Sequence, residues 1–122
     1  MRRSLAAILA STAMAMAAIA LVVGQPAAYA ATNFSVNFYD QGHWIAGALS
    51  SINPGQSFCY SLPDPQANNK ADTMRITGSV NVMVSSYINC STASGARPSY
   101  YVGPWSGNLY DPNTATSYRV YK

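Results

Sequence analysis

His43 is the only imidazole in the chain, and Asp40 stands three residues before it in "DQGHWIAG". An Asp–His pair of this kind can orient a general base. Such chemistry also needs a positioned nucleophile or a second proton donor. The chain offers no nucleophile elbow and not one glutamate. His43 therefore reads as a loop histidine, open to solvent or packed on an aromatic ring. Asp64 in "LPDPQ" and Asp111 in "YDPN" each precede a proline, which is ordinary turn chemistry. Nothing sets a carboxylate pair at the separation that glycoside hydrolysis needs. The expectation is a protein that is not an enzyme.

The aromatic residues carry a second kind of chemistry. Tyr100, Tyr101, Trp105 and Tyr110 crowd into "SYYVGPWSGNLY", and Trp44 stands apart. Exposed Tyr and Trp offer a large contact area with a polar tip, for little conformational entropy. Strand alternation turns Tyr101 away from Tyr100 and Val102, so some of these rings should reach solvent. Trp44, Tyr101, Trp105 and Tyr110 are the candidate binding rings, with Arg97 in "ASGARPS" as a charged anchor beside them.

Elements that could position these residues follow period two rather than 3.6. Phe34, Val36 and Phe38 alternate with Ser35, Asn37 and Tyr39; Val80, Val82 and Val84 alternate with Asn81, Met83 and Ser85. Similar series surround Cys59 (Phe58, Tyr60, Leu62), Arg75 (Met74, Ile76) and Arg119 (Tyr118, Val120). Such patterns make half-buried antiparallel strands. Turn signals such as "DQG", "NPGQ", "TGS" and "YDPN" separate them. "IAGALSSI" is the one helix candidate, weakened by Gly47. The fold class expected is all-β, a sandwich or small barrel.

The first thirty residues read as a cleaved signal peptide. Arg2 and Arg3 precede an apolar run from Leu5 to Val23, and "AYA" at Ala28 to Ala30 offers a small-x-small cleavage site. The paired arginines fit either general or twin-arginine export. The style is bacterial, so the glycosylation patterns at Asn33 and Asn89 carry no weight. Residues 31–122 then form a single domain, secreted and expected to act as a monomer. Beyond residue 30, five Lys and Arg face four Asp, a net charge of +1. That balance gives no reason to expect nucleic acid or an anionic membrane as partner. Cys59 and Cys90, an even count in an exported chain, read as one disulfide.

Shifted by forty-four residues, the chain falls on itself. Val36 meets Val80, Phe38 meets Val82 and Phe58 meets Val102; Thr73-Met74-Arg75-Ile76 meets Ser117-Tyr118-Arg119-Val120. Two copies of one four-stranded unit are the simplest reading, about 34–78 and 79–122.

Two units of this length, each closing on a hydroxyl-apolar-Arg-aliphatic strand, resemble the βγ-crystallin family. The resemblance implies a sandwich of two Greek-key motifs. It also implies a polar loop before each closing strand that can hold calcium. Asn68, Asn69 and Asp72 would serve one loop, and Asn113, Thr116 and Ser117 the other. Asp72 and Thr73 replace the hydroxyl positions of the first loop, and Pro112 takes the first position of the second. No other cofactor is implied. Microbial members include peptidase inhibitors and killer-toxin-like proteins, so the resemblance implies a secreted, non-enzymatic interaction protein. "PDPQANN" and "ASGARPS" are its candidate contact loops. A carbohydrate- or cell-wall-binding module using the exposed Trp and Tyr residues is one alternative. A weakly calcium-binding envelope protein is another. Paired Greek keys would also make the Cys59–Cys90 bridge join one unit to the other, on the outside of a sheet.

Overall fold

The computed structural model describes residues 30–122. Ala31–Lys122 forms a compact unit of its own, and the leader assigned to residues 1–30 lies almost wholly outside the described residues. The strands are β1 (Thr32–Asp40), β2 (His43–Ile52), β3 (Ser57–Ser61), β4 (Thr73–Thr77), β5 (Asn81–Ser85), β6 (Ser99–Val102), β7 (Trp105–Asn108) and β8 (Ser117–Tyr121). Among the described residues the only helix is a 3-10 turn at Ile88–Cys90, and no helix is long and apolar enough to cross a membrane.

Period two is what makes these segments strands. Phe34, Val36 and Phe38 are buried at alternate positions of β1, as are Met74 and Ile76 in β4 and Tyr118 and Val120 in β8. Each apolar set can leave water only by facing another sheet. Two four-stranded antiparallel sheets result, in the orders β2-β1-β4-β7 and β3-β8-β5-β6. Between them, Phe38 packs on Tyr118 at 4.8 Å and Tyr118 stacks on Tyr60 at 5.1 Å. Burial, with the Tyr60 phenol adding to it, drives the Tyr118 hydroxyl far above its ordinary titration range.

"IAGALSSI" lies within β2 as strand. Its Ala46 meets Phe38 and its Ala48 meets Val36 across the ladder, so these small side chains continue the core face of β1. The β1–β2 turn is closed by Gln41 and Gly42, both at positive φ (49° and 82°), the backbone a two-residue hairpin turn requires.

Each half sends its third strand into the other half's sheet. β1, β2 and β4 lie with β7, while β5, β6 and β8 lie with β3. The two sheets thus repeat one order, and the ladders give the true equivalences. Val36 faces Ile76 and Val82 faces Val120, so the first strands match at an offset of 46 (82 − 36). Phe58 faces Val120 and Trp105 faces Ile76, so the third strands match at 47 (105 − 58). Only the closing strands and the loops before them keep 44. Phe58 therefore corresponds to Trp105 and not to Val102, and Val36 to Val82 and not to Val80. The connecting loops differ in length between halves, which a single shift cannot follow.

β5 departs from simple alternation, with Val82, Met83, Val84 and Ser85 all buried. The reason is the 86–98 connection, which folds back over the outer face of its sheet. Ser117 Oγ accepts from Cys90 N at 2.8 Å and donates to Tyr87 O at 2.6 Å. Ser85 Oγ donates to Ser91 O at 2.7 Å. Cys59 is bonded to Cys90 with Cα atoms 6.0 Å apart. Cys59 shares its exposed face with Ser57 and Ser61. The bridge accordingly joins the third strand of the first half to the long loop of the second, outside the sheet. It leaves no free cysteine among the described residues.

Candidate functional site

The two polar loops expected to be separate sites are held against each other. Asn69 N donates to Ala115 O and Asn113 N to Ala71 O, both at 2.9 Å. These four residues are equivalent at 44, so the two bonds are reciprocal, as about a local two-fold axis. Asn69 and Asn113 both sit at positive φ (58° and 62°), a conformation asparagine adopts more readily than most residues. The equivalence continues at Asp72 and Thr116. Asp72 N donates to Tyr39 O at 3.0 Å and Thr116 N to Ser85 O at 2.8 Å. Their carbonyls accept from Leu109 N and Leu62 N respectively, each at 2.9 Å. Each loop is thereby clamped to the end of its own first strand and to the other half's third connection.

Of the six side chains assigned to calcium, Asn68, Asn69 and Thr116 meet through hydrogen bonds, Asp72 engages the hairpin turn, Asn113 is exposed, and Ser117 is engaged elsewhere. Thr116 Oγ1 bridges Asn68 Oδ1 at 3.0 Å and Asn69 Oδ1 at 3.2 Å, so ligands from both halves converge. Asp72 Oδ2 accepts from Gln41 N at 3.1 Å, while its Oδ1 is buried with no hydrogen-bond partner. That orphaned oxygen fits a hard cation. Ser117 does not fit, because its hydroxyl is spent on the Tyr87–Cys90 backbone. Among the described residues, no three His, Cys, Asp or Glu side chains cluster as a metal site.

The aromatic candidates divide into two places. Tyr101 is an inward position of β6, opposite Val82, and is only 2% exposed. It is not a contact ring. The outward positions beside it are Tyr100 and Val102, both exposed. Tyr101 instead backs Tyr110, which stacks on it at 4.5 Å with planes 14° apart. Trp105 closes the cluster at 4.7 Å from Tyr101 and 6.0 Å from Tyr110. The Tyr101 hydroxyl accepts from Tyr110 N at 2.9 Å, which fixes the pair. Burial raises the Tyr101 phenol above its ordinary range. Tyr110 itself is 66% exposed, so the cluster presents one immobilised ring to solvent.

Arg97 stands at the edge of this cluster. Its Nε lies 3.2 Å from Asp111 Oδ2, next in sequence to Tyr110. Its φ of 50° is not the extended backbone a segment needs to lie in a cleft as a strand. Arg97 is thus a rim charge paired to Asp111 and not the tip of an extended inserting loop.

Trp44 is elsewhere, in β2 at the opposite edge of the first sheet from β7. Its indole N–H donates to Asn37 Oδ1 at 2.9 Å, which runs the ring back over Gly47. A Cβ at Gly47 would lie 3.2 Å from the indole nitrogen and 2.6 Å from Val36 O. The glycine is the space the ring and backbone require. Sequence reasoning missed Asn37, because an asparagine on the polar face of a strand carries no signal until the ladder shows what lies across from it.

His43 and Asp40 face each other as the last ladder pair before the Gln41-Gly42 turn. Their spacing is that of a hairpin. Among the curated proteins, family models and solved structures compared with it, the chain finds no match.

Proposed function

We propose that the protein is a secreted, non-enzymatic binding protein of βγ-crystallin-like architecture. Its primary recognition surface is the Tyr110 platform, and its partner is a protein. The exchanged third strands and the reciprocal loop bonds support two Greek-key motifs. The observation that carries the function is the exposed Tyr110 ring stacked on a buried Tyr101. A ring already held in place loses little freedom on binding. With Trp105 meeting it edge-on and the Arg97–Asp111 pair at its rim, it has the Tyr, Trp and Arg composition of an interface hot spot. The resemblance makes a secreted peptidase the first partner to test. The protein is titrated against serine, cysteine and metallo-peptidases. Inhibition that weakens at least about 30-fold in Tyr110→Ala, the scale of a hot-spot loss, is expected. Full residual activity of every peptidase at micromolar excess overturns the inhibitor form of the reading.

A calcium-stabilised state is a second reading, favoured by the orphaned Asp72 oxygen. Asn68, Asn69, Asp72, Asn113 and Thr116 would supply it. Melting with calcium at about 100 times the dissociation constant would show about 2.7 kcal/mol of added stability. An unchanged melt at 10 mM calcium (about ten times the weak extracellular range) removes this reading.

A further inference from the structure

The outer face of the β2-β1-β4-β7 sheet carries a set of groups that the Tyr110 platform does not use. Gly47, Asn37, Arg75 and Ser106 form one continuous cross-strand row over all four strands. Strand spacing makes such a row about 14 Å long. At one end is Trp44, 60% exposed, its ring fixed by Asn37 over Gly47. At the other end is a shallow depression of about 370 Å³, with Arg75, Thr77, Pro104 and Ser106 in its lining.

The chemistry of the row is selective. Its outward side chains on β1, β4 and β7 are amides, hydroxyls, one tyrosine and one guanidinium, with no carboxylate among them. The only ion pair among the described residues is Arg97–Asp111, so Arg75 keeps its full fork of donors for a ligand. A protein partner would favour an apolar centre, and the centre of this row is Asn37 and Arg75, with Trp44, Tyr39 and Leu49 lying toward the β2 side. Nucleic acid would call for several cations along a backbone, and this row has one. A fixed aromatic face, neutral hydrogen-bonding groups and a single guanidinium at a concave end suit a chain of sugars bearing an acid.

We propose that this face binds a linear oligosaccharide carrying carboxylates, with one sugar ring stacked on Trp44 and a carboxylate seated on Arg75 at the depression. The site is independent of the Tyr110 platform, and the two stand or fall separately.

The test is isothermal titration of the protein with a galacturonic acid hexamer and, in parallel, a neutral N-acetylglucosamine hexamer. The acidic hexamer should bind about tenfold more tightly or better, with the preference shrinking as salt screens the Arg75 contact. Arg75→Gln should abolish the preference for the acid. Trp44→Ala should weaken both hexamers about tenfold. Asn37→Ala keeps the indole but removes its anchor, and should weaken binding without changing the preference for the acid. All variants should melt as the parent does, because the altered side chains lie on the solvent side of the sheet. Tyr110→Ala should bind the acidic hexamer unchanged. The proposal is overturned by equal affinity for the two hexamers, or by no heat from either at about 1 mM, the weakest affinity the assay reads. It is also overturned if Trp44→Ala or Arg75→Gln binds like the parent, or if loss is confined to Tyr110→Ala. The peptidase titration has no bearing on any of these outcomes.

Discussion

Replacing Cys59 and Cys90 together by alanine removes a cross-link between residues 31 apart in sequence. In the chain-entropy treatment a loop of that length lowers unfolded-state entropy enough to stabilise the fold by ~3.7 kcal/mol at 25 °C. A domain of this size commonly has only about 5–10 kcal/mol in all, so the loss should be plain in urea unfolding. The loop's own contacts temper the effect. Ser117 still holds Cys90 N and Tyr87 O, and Ser85 still holds Ser91 O, so the 86–98 connection should stay in place at low denaturant. The double variant should therefore fold with a native-like spectrum and unfold with ΔG lower by about 2–5 kcal/mol. A melting temperature lower by at least about 8 °C is expected with it. Amide exchange adds a local readout: the Cys90-position N–H, bonded to a side chain on β8, should exchange faster than in the parent. A stability loss below about 1 kcal/mol, well under the range for native bridges, would refute the argument. So would a variant whose loop amides exchange as slowly as before.

Ser117→Ala leaves Cys90 N and Tyr87 O without their shared hydroxyl and should cost about 1–3 kcal/mol in urea unfolding. Phe38→Ala, at 0% exposure between the sheets, should cost about 3–5 kcal/mol by the same measurement. The Tyr118 phenol is raised by burial. Its contribution is fully present below the unfolded tyrosine value of about 10 and is lost as pH rises above it. Ultraviolet titration should show Tyr118 ionising only with alkaline unfolding, and Tyr118→Phe should move that unfolding to higher pH. Exchanging Gly47 for valine should displace the Trp44 indole and shift its fluorescence, because the new side chain meets Asn37 and the ring.

Strand positions and burial were legible because a half-buried strand writes its two faces directly into the sequence. β1, β4 and β8 show it, with Phe34, Val36 and Phe38, Met74 and Ile76, and Tyr118 and Val120 all inside. The closing loops were also legible, since Asn69 and Asn113 recur at one offset and do one job. The third-strand correspondence was not, because Trp105 and Phe58 share a place in the ladder but no shift common to the whole chain. β5 hid its second buried face because the cover comes from a loop closed by a distant cysteine. Within the binding surfaces, Tyr101 followed alternation inward. The Trp44–Asn37–Arg75 alignment depends on the register of three strands, which pairwise spacing along one chain does not contain.

The traded third strands bear on how the chain can be assembled at all. β8 is made last, yet it lies between β3 and β5 in the interior of its sheet. β7, made just before it, flanks β4 in the other sheet. A chain made from its N-terminus therefore completes neither sheet until β7 and β8 exist. The first half alone would leave β4 with an open flank and β3 with nothing to pair to. Contacts of this span come late, after the loop-closure cost has been met. The final residues of the chain therefore decide whether both sheets close, and a truncation that removes β8 strips β3 and β5 of their shared partner. The Cys59–Cys90 bridge does not make good that loss, because it ties β3 to the 86–98 connection and leaves the place between β3 and β5 empty.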